Sequence, residues 1–166
     1  MIGRLVAAFA ALFPGAQVLQ NLHPLIVHYP VAFLTGAAAL YLLAWLGSRE
    51  RWAWTALWML GLGTLGAAAA VATGLRAGDG VMLSWSVRDH ILEHHKHYML
   101  AAFGLSLLLT GWGLIARPMP QRGRAGFVVL LVVMAALIAR GADYGGWMVY
   151  GYNAGGSLPQ PIEFAQ

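Results

Sequence analysis

Histidine is the residue type best able to do chemistry in this sequence, and its six copies occupy two short stretches. They are His23, His28, His90, His94, His95 and His97. Since the chain has no cysteine, its sequence excludes disulfides, thiolate zinc sites, iron–sulfur clusters and covalently attached haem. Any cofactor must therefore be held by histidine, oxygen or methionine.

Two pairs of similar landmarks indicate an internal repeat. His28-Tyr29 is matched by His97-Tyr98, and the segment Arg76–Asp79 is matched by Arg140–Asp143 in the same order. The separation from histidine to arginine is 48 residues in the first half and 43 in the second. Such a repeat predicts two similar hairpins related by a pseudo-twofold axis. The alternative is that membrane interfaces simply favour tyrosine, histidine and an Arg-Asp pair three residues apart.

The repeat would bring His28 and His97 together across the pseudo-twofold axis. Two imidazoles can ligate a haem iron without cysteine, and a guanidinium pairs well with a carboxylate such as a haem propionate. We therefore predict a haem b site near one membrane face, with His28 and His97 as axial ligands and His94 as the replacement for His97. The other residues expected at this site are Tyr29, Tyr98, Arg76 and Arg140.

The histidine-rich second stretch allows a different kind of site. In a helix that starts at the capping box Ser86–Asp89, His90, His94 and His97 share one face, and His95 points elsewhere. A face with several imidazoles can bind zinc or copper. The ligands of this alternative zinc or copper site are His23, His90 and His94. A solvated, histidine-rich helix end is the simpler explanation for His90 and His95.

Composition places these residues in a membrane protein. Of the 166 residues, 60% are hydrophobic and 10% are charged, whereas a soluble domain has about 25% charged residues. Four apolar stretches can each supply the roughly 20 helical residues that cross a bilayer. They run about 25–46, 53–75, 98–115 and 125–144, and the fourth must carry Arg140 in its last turns. The predicted fold is an all-α integral membrane four-helix bundle built from two similar hairpins.

The remaining segments and the arginines indicate the topology. Residues 1–18 predict an interfacial N-terminal helix, 19–149 the transmembrane domain and 150–166 a periplasmic tail. Five arginines lie in two very short loops, and they are Arg49, Arg51, Arg117, Arg122 and Arg124. Positive charge in short loops marks the cytoplasmic side. Both termini and all six histidines are therefore predicted to face the periplasm across a bacterial inner membrane. The scattered arginines form no basic face for nucleic acid.

The segment Asn21–Pro30, with its His-Pro-x-x-x-His-x-Pro pattern, and the segment Gly145–Tyr150 resemble a bacterial family of four-helix membrane proteins, domain of unknown function 2231. The resemblance covers most of the chain. Because members of that family occur alongside cytochrome c domains, it implies electron transfer in the cell envelope. The run Glu93–His97 is richer in histidine than is usual for the family, so no role is carried over to it.

These features predict a membrane-anchored b-type cytochrome that carries electrons between quinone and a periplasmic partner such as cytochrome c. The central parts of the spans contain no histidine, acid, lysine or arginine, which argues against an ion pump. The alternative is a non-catalytic anchor or assembly subunit of an envelope complex, with its histidines binding zinc, copper or nothing. We expect an electron-transfer subunit, in a homo-oligomer or a larger complex, rather than a self-contained enzyme.

Overall fold

The computed structural model describes residue 12, residues 21–80, residues 84–152 and residue 154. Four long helices make up that part of the chain: α1 (His23–Gly47), α2 (Glu50–Gly80), α3 (Trp85–Ala116) and α4 (Arg124–Tyr152). Each is long and apolar enough to cross a bilayer, so the predicted membrane bundle is confirmed. The interfacial helix predicted for residues 1–18 lies outside the described residues, apart from Leu12. Helix α4 includes the first three residues of the predicted tail.

The helices form two antiparallel hairpins joined into one bundle. In the first hairpin α1 packs along α2, and in the second α3 packs along α4. Contacts between α2 and α3 and between α1 and α4 join the hairpins. The order around the bundle is therefore α1, α2, α3, α4, which places α1 and α3 on one diagonal. A side chain of α1 meets a side chain of α3 only across the bundle axis.

The bundle core combines large side chains with small ones that admit them. Tyr41 and Phe127 are fully buried and pack edge to face, with ring centroids 5.0 Å apart. The Tyr41 hydroxyl donates to the Pro118 carbonyl oxygen at 2.9 Å, which anchors the loop between α3 and α4. Gly113 lies against Tyr41 and Leu57, where a larger residue would collide. Close approach of helix backbones at small residues is typical of membrane bundles.

The outward faces of the bundle are apolar. Trp58, Leu65, Leu108 and Ile115 are 70%, 70%, 72% and 87% exposed. Water would oppose so much exposed apolar surface, whereas lipid chains cover it. The buried hydroxyls of Thr64 and Ser106 are also suited to an apolar environment, because both donate hydrogen bonds to backbone carbonyls. The protein is thus a multi-pass membrane protein that contacts lipid.

The geometry of α3 determines which histidines of the second stretch, His90 to His97, face inward and which face outward. The helix begins at Trp85 rather than at the predicted capping box, and it contains a π-helical turn over Arg88–Leu92. His90, His94 and His97 are exposed, while His95 is half-buried inside the bundle. The interpretation of His95 as part of a solvated helix end is therefore wrong. The fourth helix does carry Arg140, but it continues for three further turns.

Candidate functional site

Two histidines meet across the bundle axis at one end of the molecule. His23 is the first residue of α1, and His95 lies on α3, on the same diagonal. Their ring centroids are 6.5 Å apart, with the ring planes nearly perpendicular at 86°. Both side chains are half-buried. The fold therefore brings together one histidine from each of the two groups in the sequence.

The tautomer of His95 follows from its hydrogen bond. Nδ1 of His95 lies 2.7 Å from the carbonyl oxygen of Gly141 on α4. A carbonyl oxygen only accepts hydrogen bonds, so Nδ1 must carry the proton. In the neutral imidazole the other nitrogen, Nε2, then has an unshared electron pair. A bond from Nδ1–H to a backbone carbonyl is a common way in which proteins orient a metal-binding histidine.

The tautomer of His23 follows from a short chain of hydrogen bonds. Nδ1 of His23 lies 3.2 Å from Oγ1 of Thr73 on α2. The single hydroxyl proton of Thr73 is already directed at the carbonyl oxygens of Ala69 and Ala70, at 2.9 and 3.1 Å. This geometry favours Thr73 as the acceptor of the Nδ1–H of His23, which leaves Nε2 of His23 unprotonated. The His23 ring also forms a hydrogen bond with the backbone carbonyl of Ala70. Among the described residues, Nε2 of His95 has no hydrogen-bond partner.

Two glycines provide the surfaces on which these imidazoles lie. A Cβ atom at Gly74 would be 2.7 Å from Cε1 of His23, and one at Gly145 would be 3.2 Å from Cε1 of His95. The first distance is a collision and the second is tighter than ordinary van der Waals contact. Each ring thus rests where its neighbouring helix has no side chain. Any larger residue at either position would displace the imidazole.

The internal repeat is visible in the burial pattern. The register of this repeat differs from the one that the landmarks His28-Tyr29 and His97-Tyr98 indicated. A shift of 72 residues superposes the buried positions Pro30, Leu34, Ala37 and Tyr41 on Ala102, Ser106, Leu109 and Gly113. A shift of 71 residues superposes Ala56, Leu57, Leu60, Gly63 and Ala67 on Phe127, Val128, Leu131, Met134 and Ile138. These shifts make His23 equivalent to His95 and Gly74 to Gly145. The pair at the axis is therefore related by the repeat.

The histidines named by the sequence landmarks occupy different places. His28 and His97 are both exposed, and no hydrogen bond or ring contact joins them in the described part of the chain. Tyr29 stacks on Phe33, with ring centroids 4.3 Å apart. The ring of Tyr29 also lies against Gly66, in the first hairpin. The structure thus does not bring His28 and His97 together.

The two arginines of the landmarks also differ from one another. Arg140 forms an ion pair with Asp143 at 2.8 Å, and its guanidinium lies 4.8 Å from the centre of the Tyr144 ring. This pair matches the purely structural role considered for the Arg-Asp spacing. Arg76 is exposed, and no salt bridge joins it to Asp79 within the described residues. Arg76 follows Gly74 by two residues, about 200° around α2, so it lies on a different face of the helix from the one that contacts His23.

The exposed histidine face of α3 forms no metal-binding group with the other described residues. His94 and Tyr98 both stack on Tyr144 of α4, with centroid distances of 5.5 and 5.8 Å. His90 is exposed one turn before them. In residues 21–80 and 84–152, no three His, Asp or Glu side chains gather in a group that could hold a metal ion. The predicted zinc or copper ligands His23, His90 and His94 therefore do not converge.

Sequence reasoning missed the pairing of His23 with His95, although a signal for it exists. Gly74 follows His23 by 51 residues, and Gly145 follows His95 by 50. These separations agree more closely than the 48 and 43 residues of the chosen landmarks. The pattern of histidine and glycine would have selected the correct register.

The fold and the site together define a multi-pass, four-helix membrane protein with two imidazoles converging at one end of its bundle. Residues 19–157 match the family described as Predicted membrane protein (DUF2231). The chain belongs to this family, as the resemblance of its His-Pro motif indicated. No curated protein and no solved structure matches the chain.

Proposed function

We propose that the protein is a membrane-anchored b-type cytochrome whose single haem is ligated by His23 and His95. The observation that carries the proposal is the convergence of two neutral imidazoles whose Nδ1 protons are both directed at the surrounding helices. An Nε2 atom without a proton can offer its electron pair to a metal. A metal between them would use both electron pairs.

The separation of the rings suits an ion with ligands on opposite sides. Two metal–nitrogen bonds of about 2 Å each, plus about 1 Å from each nitrogen to its ring centre, give centroids about 6 Å apart. The observed separation is 6.5 Å. Neutral rings in edge contact also occur at about this distance. The two Nδ1–H tautomers favour the metal, because each leaves an unshared electron pair on Nε2.

The number of ligands favours haem over a bare ion. Structural zinc sites usually have four protein ligands and catalytic sites three. The described residues contain no third side chain that completes such a set. A haem brings four nitrogens of its own and needs only axial ligands from the protein. Bundle cores commonly hold cofactors between facing helices, and the small residues Gly74 and Gly145 keep the two imidazoles in place.

The position of the pair limits the electron path. All six histidines lie at the ends of α1 and α3 that share one side of the bundle, and the inner spans have none. A second haem near the opposite face therefore has no histidine to hold it. With the arginine-dense loops in the cytoplasm, electrons would pass between quinone and a periplasmic redox protein on the outer half of a bacterial inner membrane. Haem supplies the electron-carrying centre when it is bound.

Haem content is the experiment that tests this function. The full chain would be expressed with ample haem, purified in detergent and measured for haem per chain. We expect one haem b per chain and, in the reduced protein, the split visible bands of a six-coordinate low-spin iron. A colourless protein that also fails to take up added haem would refute the proposal. That result would leave the rival role of a membrane anchor or assembly subunit.

A further inference from the structure

An open cleft lies at the end of the bundle opposite the histidine pair, where α1 turns into α2. Its volume is about 370 Å³. The residues that line it are Arg49, Glu50, Arg51 and Trp54. Only Ser48 and Arg49 connect the two helices. The Arg49 amide donates to the Ala44 carbonyl at 3.1 Å, and the Arg49 carbonyl accepts from the Trp52 amide at 3.1 Å. Both helices therefore fix the backbone of the cleft.

The two guanidinium groups of the cleft are available to a ligand. Arg49 and Arg51 are exposed, and neither side chain forms a salt bridge or a hydrogen bond within residues 21–80 and 84–152. In the loop between α3 and α4, by contrast, Arg117 donates to the Leu114 carbonyl at 3.0 Å. Glu50 lies in the first turn of α2, where the helix dipole favours an acidic group. Two arginines against one glutamate leave the cleft positively charged.

A lipid-facing stripe of α2 begins at the cleft. At about 100° per residue, every fourth or third side chain returns to the same helix face. The members of the stripe are Arg51, Trp54, Trp58 and Leu62, and all four are exposed. Leu62 lies about 16 Å from Arg51 along the helix, and half of a bilayer core is about 15 Å thick. The stripe thus joins a cationic end to an apolar length that matches one leaflet.

We infer that the cleft binds the headgroup of one anionic phospholipid, whose acyl chains lie along the lipid-facing stripe. Guanidinium groups pair with phosphate oxygens through charge-assisted hydrogen bonds. Tryptophan suits the headgroup level of the membrane, because its ring is apolar and its N–H is polar. Since the cleft is positively charged, it favours a lipid of net negative charge over a zwitterionic one.

The apolar part of the site selects a lipid rather than a soluble phosphate. A soluble anion would contact only the two arginines of the cleft, whereas a phospholipid also covers Trp58 and Leu62, which are 70% and 41% exposed. The site lies at the other end of the bundle from His23 and His95. It is therefore a second function of the chain, and it requires no haem.

The test measures quenching of tryptophan fluorescence in the full chain, reconstituted in phosphatidylcholine vesicles. Two probe lipids with the same brominated acyl chains are compared, one anionic phosphatidylglycerol and the other zwitterionic phosphatidylcholine. We expect the anionic probe to reach half of its full quenching at the lower mole fraction. Arg49→Gln and Arg51→Gln should each raise that mole fraction about fivefold, which corresponds to about 1 kcal/mol per basic side chain at a membrane surface. Arg122→Gln, at an exposed position in the other short loop, should leave it unchanged.

Two tryptophans report where the lipid lies. Trp54 and Trp52 are both 41% exposed, but only Trp54 lines the cleft. Trp54→Phe should therefore remove most of the extra quenching by the anionic probe, and Trp52→Phe should retain it. Replacing Arg49 and Arg51 together by lysine keeps the charge and should retain the preference, which separates a loss of charge from a loss of folding.

Four results would overturn the inference. They are equal quenching by the two probes, a preference that survives Arg49→Gln with Arg51→Gln, an equal loss in Arg122→Gln, and displacement of the anionic probe by inorganic phosphate. The third would mean diffuse attraction of anionic lipid to the whole surface, and the fourth would assign the cleft to a soluble anion. Each of these results leaves the cytochrome proposal standing, because none of them depends on haem.

Discussion

His95 donates its Nδ1–H to the carbonyl oxygen of Gly141 at 2.7 Å, across the interface between α3 and α4. Gly141 makes this contact possible, because a Cβ at that position would be 2.7 Å from the Met99 side chain and 3.1 Å from Cβ of Tyr98. The absence of a side chain lets α3 approach closely enough for the imidazole to reach the backbone. One glycine thereby fixes both the packing of the second hairpin and the tautomer of His95.

The tautomers of the pair can be measured without any haem. We expect nitrogen NMR of the haem-free protein, at a pH where the imidazoles are neutral, to show protonated Nδ1 and unprotonated Nε2 for both His23 and His95. Their acceptors, Thr73 and Gly141, impose this state. Exposed His97 provides the comparison, since it has no such partner among the described residues and should exchange between tautomers. A protonated Nε2 on either half-buried ring would contradict the hydrogen-bond assignment.

The glycines under the imidazoles should tolerate no side chain. Gly74→Ala and Gly145→Ala each place a Cβ against a histidine ring, so we expect reduced haem content with His23 or His95 displaced. The matched controls are Gly61→Ala and Gly126→Ala, on the same two helices, where a Cβ meets nothing within 4 Å. Alanine is favoured over glycine in a helix by about 0.5–1 kcal/mol, so the controls should be at least as stable as the natural protein. Equal haem loss in all four variants would mean that the glycines act through the helices and not through the histidines.

The sequence predicted the bundle well because the signals for a membrane helix are strong and local. Length, apolar composition and the loop arginines are sufficient to locate four spans. The pairing of histidines depends instead on which face of each helix turns inward, and the uniformly apolar spans carry no amphipathic pattern that marks this face. The sequence does not show which of Tyr41 and Leu43 faces the core. Tyr41 is fully buried, whereas Leu43 is 46% exposed. The burial pattern therefore supplied a register of the repeat that the chosen landmarks His28-Tyr29 and His97-Tyr98 did not give, although the spacing of histidine and glycine agrees with it.

The arginines should have unequal effects on the midpoint potential of the haem. Arg76 has no salt bridge among the described residues and lies within one turn of Gly74 on α2, whereas Asp143 already pairs with Arg140. Removing an unpaired positive charge favours oxidised iron, so Arg76→Gln should lower the potential. Each tenfold change in the one-electron equilibrium corresponds to about 59 mV. Redox titration should show a smaller change for Arg140→Gln. An unaltered potential in Arg76→Gln at full haem content would exclude Arg76 from the site.

The orientation of the bundle can be tested with reporter fusions. The short loops that carry Arg49, Arg51, Arg117, Arg122 and Arg124 should lie in the cytoplasm. Fusions at Glu50 and Gln121 should then be active with a cytoplasmic reporter, and a fusion at Gly155 with a periplasmic one. The opposite pattern would place the two-histidine site on the cytoplasmic side and exclude a periplasmic electron acceptor.

The identity of the axial ligands tests the central claim most directly. The visible spectrum of the reduced, haem-loaded protein would be compared among four variants: His23→Ala, His95→Ala, His28→Ala and His97→Ala. We predict that the first two lose the low-spin six-coordinate bands, and that added imidazole restores them by filling the position of the missing side chain. The other two, at exposed positions, should keep the natural spectrum. Loss of the bands in His28→Ala and His97→Ala, with no change in His23→Ala and His95→Ala, would contradict the assignment of the site.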